Sequence, residues 1–162
     1  MQQSLNTNNT HEIIGNYQFV TVQKNHANGS MVLFANKAFH ANEIIAPFKP
    51  EAIVKLPNYL TIQLNKEQHI LLHPTYLQYC NHSCNPNVFF NTQTMQLIAL
   101  KDIFEGNELR FFYPSSEWDM AQSFDCNCGE KNCLKKIQGA KFIDINILST
   151  YTLTNFIQSM IQ

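Results

Sequence analysis

Three thiols lie within eight residues of this chain: Cys126-Asn127-Cys128-Gly129-Glu130-Lys131-Asn132-Cys133. Thiolates at such spacing are the donors a zinc ion takes in a tetrahedral shell. Bringing three of them to one point demands a tight turn, and Gly129 supplies the backbone freedom for it. Lys131, Lys135 and Lys136 stand close by, where positive charge is expected to lower thiol pKa values and offset thiolate charge. A fourth ligand must come from elsewhere. The candidates are Cys84 and Cys80, with His82 behind them. A closed four-thiolate shell is structural, because a catalytic zinc keeps one position open.

The second chemical segment is Asn81-His82-Ser83-Cys84-Asn85-Pro86-Asn87. It is almost wholly polar, yet it lies between apolar Leu77–Tyr79 and Val88–Phe90. Polar groups placed between core segments must find partners. On composition alone this stretch is a turn held by Asx hydrogen bonds.

The elements that position these groups read as short and mostly extended. Strands are predicted over Tyr17–Val22, Met31–Phe34, Ile44-Ile45, Ile53–Leu56, Tyr59–Leu64, His69–Leu72, Val88–Phe90, Met95–Leu100 and Glu108–Tyr113. Pro47 and Pro50 are expected to stop the strand begun at Ile44. Asn28-Gly29 marks a turn, and Asn91–Thr94 the loop of a hairpin. One helical turn is predicted at Pro74–Tyr79 and a short helix at Trp118–Gln122. The apolar positions of Asp144–Gln162 are partly helical in period. The sum is a mainly β domain. Residues 125–138, rich in cysteine and charge and poor in large apolar residues, need a staple.

Composition narrows the function classes. The chain has 162 residues, room for one domain with a small appendage. Hydrophobic residues at 44% exclude a disordered chain, and charged residues at 14% with a net charge of −1 give no footprint for DNA. Much of the polar surface must come from 19 asparagines and 13 glutamines. No apolar run reaches the ~20 residues of a membrane helix. Residues 1–12 are polar and Asn-rich and read as a disordered tail without a leader. The expected compartment is the cytoplasm, where an odd count of five cysteines fits metal better than disulfides.

Three segments in order carry a resemblance. Asn81–Asn87 fits Asn-His-x-Cys-x-Pro-Asn. Glu108-Leu109-Arg110-Phe111-Phe112-Tyr113 fits Glu-Leu-x-x-x-Tyr. Cys126–Cys133 fits Cys-x-Cys-x4-Cys. The chain resembles a SET-domain protein-lysine methyltransferase with its post-SET zinc loop, over about Ser30 to Gly139. It is most like small stand-alone SET proteins of bacteria and fungi, which also carry Tyr113-Pro114-Ser115 followed by Glu117-Trp118. The resemblance implies small curved sheets with a pseudoknot, in which the Asn-His and Glu-Leu-x-x-x-Tyr segments cross at the cofactor site. It divides the chain into a tail (1–12), a SET domain (13–122), a post-SET zinc loop (123–139) and a helical extension (140–162).

The resemblance also implies roles. Asn81 would hold the amino end of S-adenosylmethionine, and the His82 backbone would meet its adenine. Cys128 and Leu134 would line the same site, with Leu134 covering the adenine. Gly29, Ser30 and Met31 fall where the family contacts the cofactor through Gly-x-Gly, with Ser30 and Val32 in place of the two glycines. Gln78-Tyr79 stands for the usual Arg-Phe, and Phe112 for the usual Asp. Tyr113 matches the catalytic tyrosine. Cys84 matches the residue that joins Cys126, Cys128 and Cys133 on one zinc. The implied activity is methyl transfer to a lysine amine of a protein, or to a small amine, by a monomer or homodimer. The other function class is a non-catalytic, zinc-stabilised SET-like binding module, which the altered glycine stretch favours.

Overall fold

The computed structural model describes residues 10–162. In chain order its strands are β1 (His11–Asn16), β2 (Val20–Asn25), β3 (Met31–Ala35), β4 (Ile44–Pro47), β5 (Lys49–Val54), β6 (Ile62–Gln63), β7 (His69–His73), β8 (Asn81–His82), β9 (Val88–Asn91), β10 (Gln96–Ala99), β11 (Arg110–Phe111), β12 (Phe124–Asp125) and β13 (Lys136–Ile137). Two short helices follow, α1 (Ile145–Leu148) and α2 (Asn155–Met160). The chain is mainly β, as expected.

The strands make five small sheets. Three have three strands, in the orders β1-β2-β3, β4-β10-β9 and β5-β7-β6. Two have two strands, β8 with β11 and β12 with β13. All pairings are antiparallel except β8 with β11. The β9–β10 hairpin turns through residues 92–95, where Asn91 Oδ1 accepts from the backbone N–H groups of Gln93 and Thr94. Gly29 takes the left-handed conformation (φ +72°) in the turn between β2 and β3. Both turns lie where Asn-rich sequence places them.

Several boundaries differ from the sequence reading. Residues 1–9 of the expected tail lie outside the described residues, while His11 and Glu12 already pair in β1 with Asn25 and Lys24. Pro50 does not end a strand but sits in β5. That strand is at a sheet edge and its register shifts just after the proline, so the missing N–H costs no ladder bond. Of Tyr59–Leu64 only Ile62–Gln63 is strand, and of Glu108–Tyr113 only Arg110–Phe111. Trp118–Gln122 is irregular rather than helical. The C-terminal periodicity breaks into α1 and α2, each with its own N-cap: Asp144 accepts from the N–H of Asn146 and Thr154 from that of Ile157.

Apolar side chains gather in three clusters. The main core, with Leu33, Phe39, Ile70, Phe90, Leu97 and Leu109 wholly buried, binds the three larger sheets together. A second cluster joins Phe112 to Leu148, Leu153 and Ile157 of the C-terminal segment. A third holds Cys84, Cys126 and Ile137. The turn into the C-terminal segment has no room for a side chain at Gly139, where a Cβ would meet Trp118 O at 2.5 Å. Among the described residues no helix is long and apolar enough to cross a membrane.

Candidate active site and metal centre

The site is built where two segments far apart in sequence cross. β8 and β11 pair in parallel, Asn81 opposite Arg110 and His82 opposite Phe111. Two residues per strand give few ladder bonds, so side chains complete the joint. Asn87 Oδ1 accepts from Arg110 N at 2.8 Å while its Nδ2 donates to Glu108 O at 2.8 Å. Asn87 N donates to Arg110 O, and Ser83 N to Phe111 O, both at 3.0 Å. Asn81 Nδ2 donates to Glu108 Oε1 at 3.1 Å. The polar segment is thus satisfied chiefly by a second segment rather than by its own turn. Its core neighbours, Leu77 and Val88, are buried on either side.

His82 is fixed at both ring nitrogens. Nδ1 lies 3.3 Å from Tyr113 N and accepts its N–H, and Nε2 lies 3.4 Å from Cys84 Sγ. Burial, helped by the Arg110 guanidinium, pushes its pKa down to about 4. The ring is therefore neutral at physiological pH, with its proton on Nε2 aimed at the sulfur. His82 thus lies against one thiol of the four-cysteine cluster and outside the cluster itself.

Tyr113 stands where the main core meets the cysteine cluster. Its ring packs against Phe111 (4.6 Å between centroids), His82 (5.1 Å) and Phe124 (5.9 Å). Its hydroxyl donates to Cys80 O at 3.3 Å. Burial holds its pKa well above the ordinary phenol range, so it remains a neutral hydroxyl. It faces a cavity of about 260 Å³ whose walls include Tyr59, Leu60, Leu77, Phe111, Glu117 and Phe124. The walls are mostly apolar, and Tyr59 at 81% exposure stands at the rim.

The sulfurs of Cys84, Cys126, Cys128 and Cys133 all lie within 4.8 Å of one another. Bonds of about 2.3 Å in a tetrahedron require roughly 3.8 Å between sulfurs, and Cys84 Sγ and Cys126 Sγ are 3.9 Å apart. Donor type, number and spacing fit one zinc ion. Cys80 stands apart, its thiol donating to Leu109 O at 3.3 Å. Gly129 takes φ +77° at the expected turn, and Leu134 N points at Cys84 Sγ at 3.4 Å. Burial drives the Cys84 thiol up and Cys126 to about 11. Burial also opposes ionisation of Cys128, but backbone N–H groups of Cys84 and Glu130 and the thiols of Cys126 and Cys133 bring it to about 7. Backbone and neighbouring thiols, rather than the three lysines, do this work.

The contacts bring Asn81, His82, Tyr113, Cys84, Cys128 and Leu134 into one neighbourhood. Gly29 and Ser30 lie on the turn between β2 and β3, and Met31 is the first residue of β3. Ser30 Oγ donates to Asn28 Oδ1 at 2.7 Å and Val32 is buried, so the places of the two glycines are filled by side chains with local partners. Three participants were not assigned from sequence. Glu130 accepts from both Arg110 (3.4 Å) and Asn85 (3.1 Å), docking the cysteine loop on the crossing. Tyr151 stacks on Phe112 at 3.8 Å and donates to Cys84 O at 2.8 Å. Glu117 is buried in the cavity wall. Nothing local marks Glu130 or Tyr151. The one signal for Glu117 is its place in the Tyr113-Pro114-Ser115-Ser116-Glu117-Trp118 run.

Comparison with known proteins agrees with this geometry. Residues 30–114 match the family model described as SET domain. A methyltransferase of Aspergillus flavus, flvH, is 42% identical over 87 residues, 52% of this chain and 49% of that protein. An H3 lysine-36 specific histone-lysine N-methyltransferase of Debaryomyces hansenii is 31% identical over 102 residues, 58% of this chain and 14% of that one. The chain thus spans about half or less of these relatives. The solved structure of KRYPTONITE in complex with mCHG DNA and SAH superposes with a TM-score of 0.57 at 18% identity, covering 75% of this chain and 30% of that one. With the crossing, the tyrosine and the four thiols in place, and the family model matched across more than half its length, the chain belongs to the SET domain family.

Proposed function

We propose that this chain transfers a methyl group from S-adenosylmethionine to an amine nitrogen, foremost a lysine side chain of a protein. The observation that carries the reading is Tyr113, held at the crossing with its hydroxyl fixed to Cys80 O beside an apolar cavity. The cofactor, when bound, supplies a sulfonium methyl group open to direct displacement. Asn81, the His82 backbone, Cys128, Leu134, Tyr113, the Gly29-Ser30 turn and Met31 are the residues assigned to hold it. Direct displacement asks for alignment more than for a nucleophile of the enzyme's own.

The chain's own residues meet three needs. The acceptor amine must be neutral, although a solvated lysine titrates near ~10.4; walls such as Leu77 and Phe111 exclude water and disfavour its charged form. Charge developing at the reacting centre needs fixed dipoles, which the Tyr113 hydroxyl and the Cys80 carbonyl provide. The crossing must not shift, and a zinc ion held by Cys84, Cys126, Cys128 and Cys133 would pin it by tying Cys84 to the cysteine loop. A lysine acceptor is supported by relatives named as histone-lysine methyltransferases. A small amine is the other acceptor class that the cavity admits.

The test is formation of S-adenosylhomocysteine from S-adenosylmethionine with zinc-loaded protein, offered histone H3 and, separately, small primary amines. Tyr113→Phe is expected to lower turnover by ~100-fold or more while keeping the fold. Unchanged turnover in that variant contradicts the assignment. The filled glycine places at Ser30 and Val32 favour a second reading, a zinc-stabilised binding module. Folded, zinc-bound protein that forms no product with any acceptor selects it.

A further inference from the structure

The cavity beside Tyr113 contains one group that methyl transfer, as described, leaves unused. Glu117 is only 7% exposed. Its Oε1 accepts from Gln63 N at 2.8 Å and from Ser116 Oγ at 3.1 Å. Its Oε2 faces His69 Nδ1 at 3.9 Å, too far for a hydrogen bond. His69 is 4% exposed, and Nδ1 is, among the described residues, the one buried side-chain polar atom without a hydrogen-bond partner. A buried ring nitrogen left unbonded beside a carboxylate oxygen is costly. A proton on Oε2 removes that cost, since a neutral carboxyl can donate to Nδ1 after a small approach. The arrangement is suited to receiving a proton.

The other acidic protons at the cavity are committed. The Tyr113 hydroxyl donates to Cys80 O, and the Cys80 thiol to Leu109 O. Among the described residues Glu117 is the one carboxylate in the cavity wall, and no lysine, arginine or histidine lines it. The groups facing Glu117 are His69 from β7, Gln63 from β6, and Ser116 and Tyr113 from its own segment. The segment after Gly139 lays its backbone on it, with Lys141 turned away to Asp119.

We propose that Glu117, backed by His69, accepts the proton that a substrate ammonium must lose before its nitrogen can attack. This rests on the methyl-transfer reading. The N–H bond of the ammonium breaks, and its electron pair stays on nitrogen as the attacking lone pair. The proton bonds to Glu117 Oε2, and the resulting O–H turns to His69 Nδ1. Cation and carboxylate become amine and neutral carboxyl, so charge balances and no further reactant is needed. The proton returns to water when the cavity empties. A mostly apolar cavity wall favours this neutral pair over two ions. Burial, opposed by the Gln63 and Ser116 donors, already holds Glu117 at about 7.

The probe is n-butylamine, which carries the lysine side chain's amine, added at pH 8 to zinc-loaded protein without S-adenosylmethionine. Infrared difference spectra are expected to gain a neutral-carboxyl band that Glu117→Gln lacks. Calorimetry in two buffers of different ionisation enthalpy is expected to find no net proton release from the parent and about one proton per bound amine from Glu117→Gln. His69→Phe is expected to shift the band, because the carboxyl loses its acceptor; that keeps the assignment testable if Glu117→Gln does not fold. Butylamine bound with Glu117 still ionised, a band present in both proteins, or no binding at all overturns the proposal. Failure of S-adenosylmethionine to bind overturns the methyl-transfer reading instead, and this titration does not depend on it.

Discussion

A neutral imidazole between a tyrosine N–H and a cysteine sulfur, as at His82, joins Tyr113 to the four-thiol cluster without titrating near neutral pH. Glu117 behaves differently and leaves a signature in stability. An exposed glutamate titrates near 4.5, and burial moves this one up to about 7. Between those values the folded chain retains a proton that the unfolded chain has lost. Stability therefore falls as pH rises through the window. Glu117→Gln keeps an Oε1 acceptor for Gln63 N and removes the ionisation. It is expected to be more stable than the parent at pH 8 by up to about 3 kcal/mol, with no difference near pH 4. Thermal melts across that range check this, and parallel curves for the two proteins contradict it.

At the scale of elements, the β8–β11 joint and the cysteine loop depend on each other. The loop carries two-residue strands and little apolar surface, while Glu130 ties it to Arg110 and Asn85. Its order should therefore follow the metal. Chelation, or Cys126→Ser, is expected to take zinc from about one per chain to well below one. At metal 1,000-fold above Kd the lost stability is about 4 kcal/mol. Hydrogen exchange should rise across residues 124–137 and at Asn81–Ser83. Metal analysis with exchange mapping tests it; a loop that stays protected without zinc contradicts it. These two elements also show what was legible in advance. Three thiols at close spacing declare themselves locally, and Asn-Gly and Asn-Thr-Gln-Thr turns follow from backbone preference. Cys84 was reached through resemblance, because local spacing left Cys80 and His82 open. Pairing of Gln63 with Glu117 joins residues 54 apart through buried polar atoms, and no periodicity records it. β1 was missed because its side chains are mostly exposed and carry no alternating apolar pattern. Trp118–Gln122 is not a helix: Trp118 N donates to Gln63 Oε1 and Met120 N to Gln138 O, so distant partners hold this segment in an irregular path.

Across the whole molecule, three apolar clusters converge near Tyr113, and the C-terminal segment owns one of them. Phe112, beside the tyrosine, is buried by Tyr151 and by Leu148, Leu153 and Ile157. The extension thus braces the site from behind. Leu148 is 1% exposed, so Leu148→Ala is expected to cost about 3 kcal/mol and to speed zinc release by loosening Tyr151 over Cys84. Denaturant unfolding and chelator kinetics measure both, and a variant as stable as the parent removes the bracing role. The most direct test of methyl transfer is calorimetric titration of zinc-loaded protein with S-adenosylmethionine. Saturable binding at one site, weakened by Asn81→Ala, is the expected result, with Ser30 and Val32 accommodated. No heat of binding from a folded, zinc-bound chain would contradict the account.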